Sequence, residues 1–515
     1  MKKIKRIKDK IALNPIMSFA ILILITIVVS GILNLFEITG SYSAVNSKTN
    51  TLETSIITIE NLFSLRGLKY IFSNTVSNFA SFTPLIMLLI TMLGFGIMDK
   101  TGFLDTLFHV MTRKLRKNVV TFILVLICIA SSIIGDMSYI IFIPLSALLF
   151  KYGKRNPQAG IITSFAAICC GMGINVFINS VDSELLKFTQ DAANLLKSGY
   201  VVSTASFVII MFVATIALAF IITNITEKYI IPRLGKYEEL EEEEVEEKYI
   251  TKKEIKALTV SLIVGAIYVV IFVYNIIPGL PFSGNLLDYS QDLYIDKLFG
   301  YNSFFNSGFV FVVTLLFFIL GLVYGIMTKK IQNQRDVCNT LSHSLDSIGK
   351  VLVLLFFAST FVSILKYTNI GSLVTSWLAD IISTTSFTGL PLIILIFLFS
   401  AIATLILPSS IYKWSILSPV VVPVMMNSGI SAEFAQVIFR AGEAVTYSLT
   451  PVMAYFVIYL AFMEIFNQDR KDTGLFSSLK YMIPYSVGTF LMWIVIIIIW
   501  YLVSIPLGFG VSPVM

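Results

Sequence analysis

Charge is scarce in this sequence. Of 515 residues, only 13% are Asp, Glu, Lys or Arg, against about a quarter in soluble domains, and 56% are hydrophobic. Mean hydropathy is +0.86. Those values exclude a soluble globular enzyme, a disordered chain and a nucleic-acid binder. Histidine is nearly absent: His109 and His343 are the only two, and both fall in polar connections. A histidine metal centre is therefore not expected, and no cofactor is. The four cysteines, Cys128, Cys169, Cys170 and Cys338, show no CxxC spacing, and three lie in apolar runs, so they read as packing thiols. No GxxxxGK[ST] stretch occurs, which removes the basis for ATP-driven pumping by this chain and predicts no ATPase subunit.

Long apolar runs are what the chain has instead. A spanning helix needs about 20 apolar residues. Such runs fall near 16–36, 81–98, 159–178, 201–224, 257–277, 304–327, 348–366, 433–466 and 481–504. They are unbroken rather than alternating, which excludes a membrane β-barrel. The run at 16–36 is too long for a cleaved signal and reads as a retained first span. Two further stretches, 119–150 and 389–427, are interrupted in the middle. Gly135-Asp136-Met137-Ser138 breaks the first; Pro408-Ser409-Ser410 and Lys413 break the second.

Basic residues place the sides, because cytoplasmic loops collect Lys and Arg. Lys2, Lys3, Lys5, Arg6, Lys8 and Lys10 put the N-terminus inside. Arg113, Lys114, Arg116 and Lys117 before the first interrupted stretch, and Lys151, Lys154 and Arg155 after it, put both of its ends inside. That stretch enters and leaves on one side, as a re-entrant hairpin does; two complete spans satisfy the same charges. The expected fold is an all-α polytopic membrane protein, with about nine transmembrane helices and two re-entrant hairpins in inverted repeats. The C-terminus lies outside, and loops 39–78 and 278–303 face outward. Residues 370–382 read as a helix at the outer interface.

One integral membrane unit covers 1–515. Scaffold helices are expected over 1–118 and 257–388, and repeat cores over 119–224 and 389–466. A charged cytoplasmic linker follows the first core over 225–256, and a terminal helix occupies 467–515. Glu238, Glu239, Glu241 to Glu244, Glu246 and Glu247 make that linker a solvated segment. Each core runs from a broken hairpin into an interrupted span. The first is interrupted at Gly171-Met172-Gly173-Ile174-Asn175, the second between Thr446 and Pro451. Opposite entry sides with breaks at matching positions mark secondary transporters, and the breaks point at a midplane site.

Ionisable groups at membrane depth cost about 2.5–3.5 kcal/mol each on insertion scales and are functional by default. The candidates are Asp136 at the first hairpin tip, Asp182 after the first break, Lys413 beside Trp414 at the second tip, and Arg440 with Glu443 in the second interrupted helix. Bland readings exist for each. Arg440 and Glu443, three apart, form a structural ion pair. Lys413 snorkels, and Trp414 anchors at an interface. Asp136 caps a helix, and Asp182 sits near the outer surface. Taken together, two cations and an aromatic ring suit a small anionic aromatic or carboxylate-bearing solute. Asp136, Asn175 and Asp182 suit a coupling Na⁺ or H⁺. An anion channel and a membrane enzyme are the readings from other classes; the channel predicts uncoupled, non-saturating flux, and no nucleophile–base constellation supports the enzyme.

At these residues the sequence resembles the p-aminobenzoyl-glutamate transporter (AbgT) family. FASFTPLIMLLITMLGFGIMDKTG at 79–102 is similar to the family's second-helix signature. SSIIGDMSYIIFIPLSALLF at 131–150 and RNPQAGIITSFAAICCGMGINVFINSVD at 155–182 are similar to its first hairpin and following helix. Residues 409–451, and the tail from Met482 to Gly508, resemble its second half. The resemblance implies a homodimeric, ion-coupled transporter of the bacterial plasma membrane with nine spans and two hairpins. Members of that family take up p-aminobenzoyl-glutamate or export sulfonamide-type antimetabolites, and the resemblance implies the same here. Asp182, Trp414 and Arg440 carry over as functional positions. Thr404 stands where the family has asparagine, Ala432 where it has proline, Glu443 where it has aspartate and Tyr447 where it has asparagine. A glutamine expected before Asn369 is absent, leaving Ser359 and Thr360. These departures surround the site, so Thr404 and Glu443 join the candidate solute contacts. Dicarboxylates, short fatty acids and amino acids stand as alternative cargoes.

Overall fold

The computed structural model describes residues 14–46, 49, 51–174, 179–202, 204–235, 250–300, 303–346, 348–467 and 474–515. The acidic run at 238–247, the N-terminal basic cluster and Asn175 lie outside the described residues.

Helices dominate. They are α1 (Pro15–Leu35), α2 (Leu65–Ala80), α3 (Thr83–Thr101), α4 (Phe103–Lys114), α5 (Lys117–Ala130), α6 (Met137–Tyr152) and α7 (Pro157–Gly171). Next come α8 (Ser180–Asn194), α9 (Val208–Ile225), α10 (Lys252–Tyr274), α11 (Tyr294–Phe299), α12 (Phe304–Thr328), α13 (Gln334–His343) and α14 (Ile348–Tyr367). The last six are α15 (Ile370–Thr384), α16 (Gly389–Ile406), α17 (Ser410–Asn427), α18 (Ala432–Thr446), α19 (Phe456–Ile465) and α20 (Leu475–Val503). A two-stranded antiparallel sheet, β1 (Thr39–Asn46) with β2 (Thr51–Thr58), pairs Thr39 with Thr58 and Asn46 with Thr51.

Among the described residues, nine helical segments are long and apolar enough to cross a membrane. Seven coincide with expected spans. The other two, Lys117–Ile134 and Gly389–Ile406, are the first limbs of the two expected hairpins. Conversely, the runs at 159–178 and 433–466 are each divided, into α7 and α8 and into α18 and α19. Local chemistry sets these boundaries. Asn156 caps α7 through the Gln158 amide, and Pro157 begins it with the φ a first turn needs. Asn179 and Asp182 close a reciprocal capping box at the start of α8. Pro408 stops α16, and Ser409 caps α17.

Both repeat cores follow one plan: limb, turn, limb, helix, break, helix. The hairpin limbs do not lie against each other along their length. Limbs α5 and α6 clasp α7, while α16 and α17 clasp α18. The cores then interlock. The second limb α17 packs on α8, the post-break helix of the first core, and α6 packs on α19, the post-break helix of the second. Two copies related by a two-fold axis make such a reciprocal exchange.

Two expected connections contain structure. The 39–78 loop holds the β-hairpin and the amphipathic helix α2, whose apolar face was hidden among Ser, Asn and Thr. The expected helix at 370–382 is present as α15, and it packs on α17 and β1.

Candidate functional site

The site is built where the second core reaches the first break. Arg440 lies in the middle of α18 and is 3% exposed. Nη1 donates to Glu443 Oε2 at 2.7 Å and to Ser410 Oγ at 2.8 Å. Nη2 donates to the Met172 carbonyl and lies 3.7 Å from Asp182 Oδ1. One guanidinium therefore touches its own helix, the second hairpin tip, the first break and the post-break helix. A planar fork with five donors is the group suited to that task. Close approach is enforced by Gly173, where a Cβ would stand 2.5 Å from the Arg440 carbonyl oxygen.

Glu443 sits one turn on and divides its carboxylate between the two cations. Oε1 is 2.7 Å from Lys413 Nζ, while Oε2 receives Arg440. Lys413 is fully buried and does not snorkel. Its ammonium also donates to Thr404 Oγ1 at 2.6 Å and to the Leu407 carbonyl at 3.2 Å. The Lys413 ammonium thus faces three protein oxygens, two as hydrogen-bond acceptors and Glu443 Oε1 as an ion-pair partner. Lys413, Arg440, Asp182 and Glu443 together carry two positive and two negative charges, so the network is neutral.

Trp414 faces elsewhere. Its ring is fully buried and stacks on Phe439 with centroids 4.4 Å apart. Nε1 donates to Thr189 Oγ1 at 2.9 Å, and the Thr189 hydroxyl donates to Gln436 Oε1 at 2.5 Å. Phe439 occupies one face of the ring, and a buried indole is not an interfacial anchor. Residue type alone could not reveal this, since Phe439 becomes a neighbour only through packing of α17 on α18.

Asp182 links the start of α8 to Arg440. Its amide donates to Asn179 Oδ1 at 2.9 Å, and its carboxylate faces Arg440. Its side chain is 15% exposed. Asn179 ties this helix start to the first hairpin by donating to the Ser132 carbonyl at 3.0 Å. Asp136 stands at the N-cap position of α6 without a capping bond, so the capping reading fails. It follows Gly135, whose φ of +55° makes the turn. Asp136 is exposed, between half-buried Gly135 and buried Met137.

Break two is pinned to the first limb of its own hairpin. Thr446 donates to the Ala401 carbonyl at 2.7 Å and Thr450 to the Leu405 carbonyl at 2.6 Å. Ser410 and Met172, named above only as parts of the breaks, also supply site contacts. Ser410 is legible as part of a hairpin tip; a main-chain acceptor leaves no residue-type signal. A cleft of about 420 Å³ between α14 and α19, lined by Asp346, Lys350, Leu354, Ala461 and Glu464, contains none of these residues. Among the described residues no cluster of His, Cys, Asp and Glu has metal-site geometry.

Comparison with known proteins gives the context. The chain is 27% identical over 510 residues to the p-aminobenzoyl-glutamate transport protein of Escherichia coli K12, covering 99% of this chain and 96% of that protein. Among solved structures, the YdaH transporter of Alcanivorax borkumensis is 27% identical over 96% of this chain and 100% of its own, with a TM-score of 0.48. MtrF of Neisseria gonorrhoeae, an antimetabolite efflux pump, is 29% identical over 98% of this chain and 97% of its own, with a TM-score of 0.49. All of residues 1–515 match the family described as "AbgT putative transporter family". The chain belongs to that family and is a multi-pass membrane transporter.

Proposed function

We propose that the protein is an ion-coupled secondary transporter of a small anionic aromatic or carboxylate-bearing solute. The first candidates are p-aminobenzoyl-glutamate in uptake and a sulfonamide-type antimetabolite in efflux. One observation carries the reading: Arg440 joins both cores and both kinds of break in a single buried network. Its weakest partner is Asp182, at 3.7 Å and partly exposed. A solute carboxylate that replaces Asp182 on the guanidinium gains a charge-assisted bond and frees that carboxylate for an ion. Asp136, exposed at the first hairpin tip, is the second coupling carboxylate. Asn175 is the third member of the proposed ion set. Alternating access moves the two interlocked cores against the scaffold helices. The protein works as a homodimer in the bacterial inner membrane, with its N-terminus cytoplasmic and its C-terminus outside, and has no enzymatic step.

The neutral charge of the network favours a second cargo class, a solute carrying both signs, such as an amino acid. Purified protein in liposomes tests the reading. Labelled p-aminobenzoyl-glutamate should enter saturably under an imposed Na⁺ or H⁺ gradient, and Arg440→Ala should abolish that flux. Asp136→Asn should retain exchange but lose gradient-driven accumulation. Competition by amino acids and dicarboxylates separates the cargo classes. Full flux in Arg440→Ala would refute the site.

A further inference from the structure

We propose that the Lys413 ammonium is a tethered cation. It fills an oxygen cage at the second hairpin tip that would otherwise take a free monovalent cation. The cage has three ligands from three elements. They are the Thr404 hydroxyl of α16 at 2.6 Å, the Leu407 carbonyl of the turn at 3.2 Å and Glu443 Oε1 of α18 at 2.7 Å. Two of these contacts are hydrogen bonds and the third is an ion-pair contact with Glu443 Oε1. Two neutral oxygens and one carboxylate oxygen around one nitrogen form the environment of a monovalent cation.

The position is one that attracts small cations. Leu407 is the C-cap of α16, and Pro408 ends the helix there. Its carbonyl has no intrahelical donor, and the negative end of the helix dipole points toward the ammonium. Unwound carbonyls and half-helix C-terminal ends are the groups that hold Na⁺ in secondary transporters. Thr404 and Lys413 are fully buried, and the Phe439 ring lies 5.6 Å from Nζ. Because Glu443 gives its other oxygen to Arg440, the occupant of this cage also sets the orientation of the guanidinium.

A free ion can leave such a cage in every cycle; a side chain cannot. The cage therefore holds the network together without coupling transport to sodium, and coupling falls to other carboxylates. That consequence rests on the ion-coupled reading above, but occupancy of the cage does not, and the test reads occupancy.

Wild type, Lys413→Met and Lys413→Gln, purified in detergent, would be unfolded thermally in NaCl, KCl, NH₄Cl or choline chloride at one ionic strength. Any cation-dependent shift of the wild type, such as sodium at the coupling carboxylates would give, should be unchanged in Glu443→Gln, because no free ion occupies the cage. Both variants should be lowered in choline and raised by several degrees in at least one small cation, saturably with its concentration, as mass action requires. In liposomes, Lys413→Met should show flux that falls about tenfold when choline replaces that cation, a difference equal to about 1.4 kcal/mol. Equal unfolding temperatures in every salt for both variants would overturn the proposal. So would failure of both to fold in any salt, since a bound cation should restore the cage. A sodium-induced shift in the wild type that disappears in Glu443→Gln would also overturn it, because it would place a free ion on the same carboxylate. Absence of flux in the wild type would count against the transport reading alone and leave the unfolding result standing.

Discussion

Arg440 donates to the main-chain carbonyl of Met172, which lies 268 residues earlier in the chain. The contact runs both ways, because the next residue, Gly173, lies against the Arg440 backbone. The guanidinium therefore occupies a seam between two broken helices rather than a pocket wall.

That seam makes Gly173 a sensitive position. A methyl group there would stand 2.5 Å from the Arg440 carbonyl oxygen, 3.2 Å from its carbonyl carbon and 3.3 Å from Ala444 Cβ. Backbone cannot yield as a side chain can. Gly173→Ala should destabilise the protein by about 1–3 kcal/mol, the usual range for overpacking. Transport should fall further than stability, since the break itself is displaced. Thermal unfolding beside initial flux checks this; wild-type flux in the variant would show that the break tolerates separation from α18.

Glu443 is the shared counter-ion of two buried cations. Glu443→Gln leaves both Lys413 and Arg440 without a full partner and should cost about 3–5 kcal/mol, the range for removing one member of a buried pair. Glu443→Asp keeps the charge but shortens the reach, so it should recover part of that loss. A double-mutant cycle between Lys413→Met and Glu443→Gln should show coupling above about 0.5 kcal/mol, the lower bound for residues in one network. Additive losses would mean the two residues do not sense each other.

Trp414 separates packing from solute contact. Trp414→Phe keeps a ring against Phe439 and loses only the bond to Thr189, so about 1 kcal/mol should be lost. Trp414→Ala should cost about 3–5 kcal/mol by emptying a core position. If the ring positions α17 without touching solute, Trp414→Phe should leave KM near the wild-type value. A large rise in KM, with stability unchanged, would show that a solute ring replaces Phe439 during transport.

Much of the fold was legible in linear order. A stretch of apolar residues long enough to cross a bilayer reads as a helix without tertiary information. Pro408, the Gly171–Gly173 segment and Thr450-Pro451 are local breaks with local causes, and each appears where a helix stops. The β-hairpin and α2 were missed because their exposed Ser, Thr and Asn residues resemble those of a loop.

The candidate site was legible as a set of residues and not as an arrangement. Asp182, Arg440, Glu443, Lys413 and Thr404 stand out because buried charge is costly. Their spacing does not say which partners satisfy them. The sequence by itself determined the membrane class, the doubled plan, the breaks and the charged residues, since each depends on composition within one or two helical turns. Only the tertiary structure decided that α17 crosses to α8, that Phe439 covers Trp414, and that Glu443 is divided between Lys413 and Arg440. Those outcomes depend on how distant helices pack, and a buried charge takes whatever partner packing brings within about 3 Å.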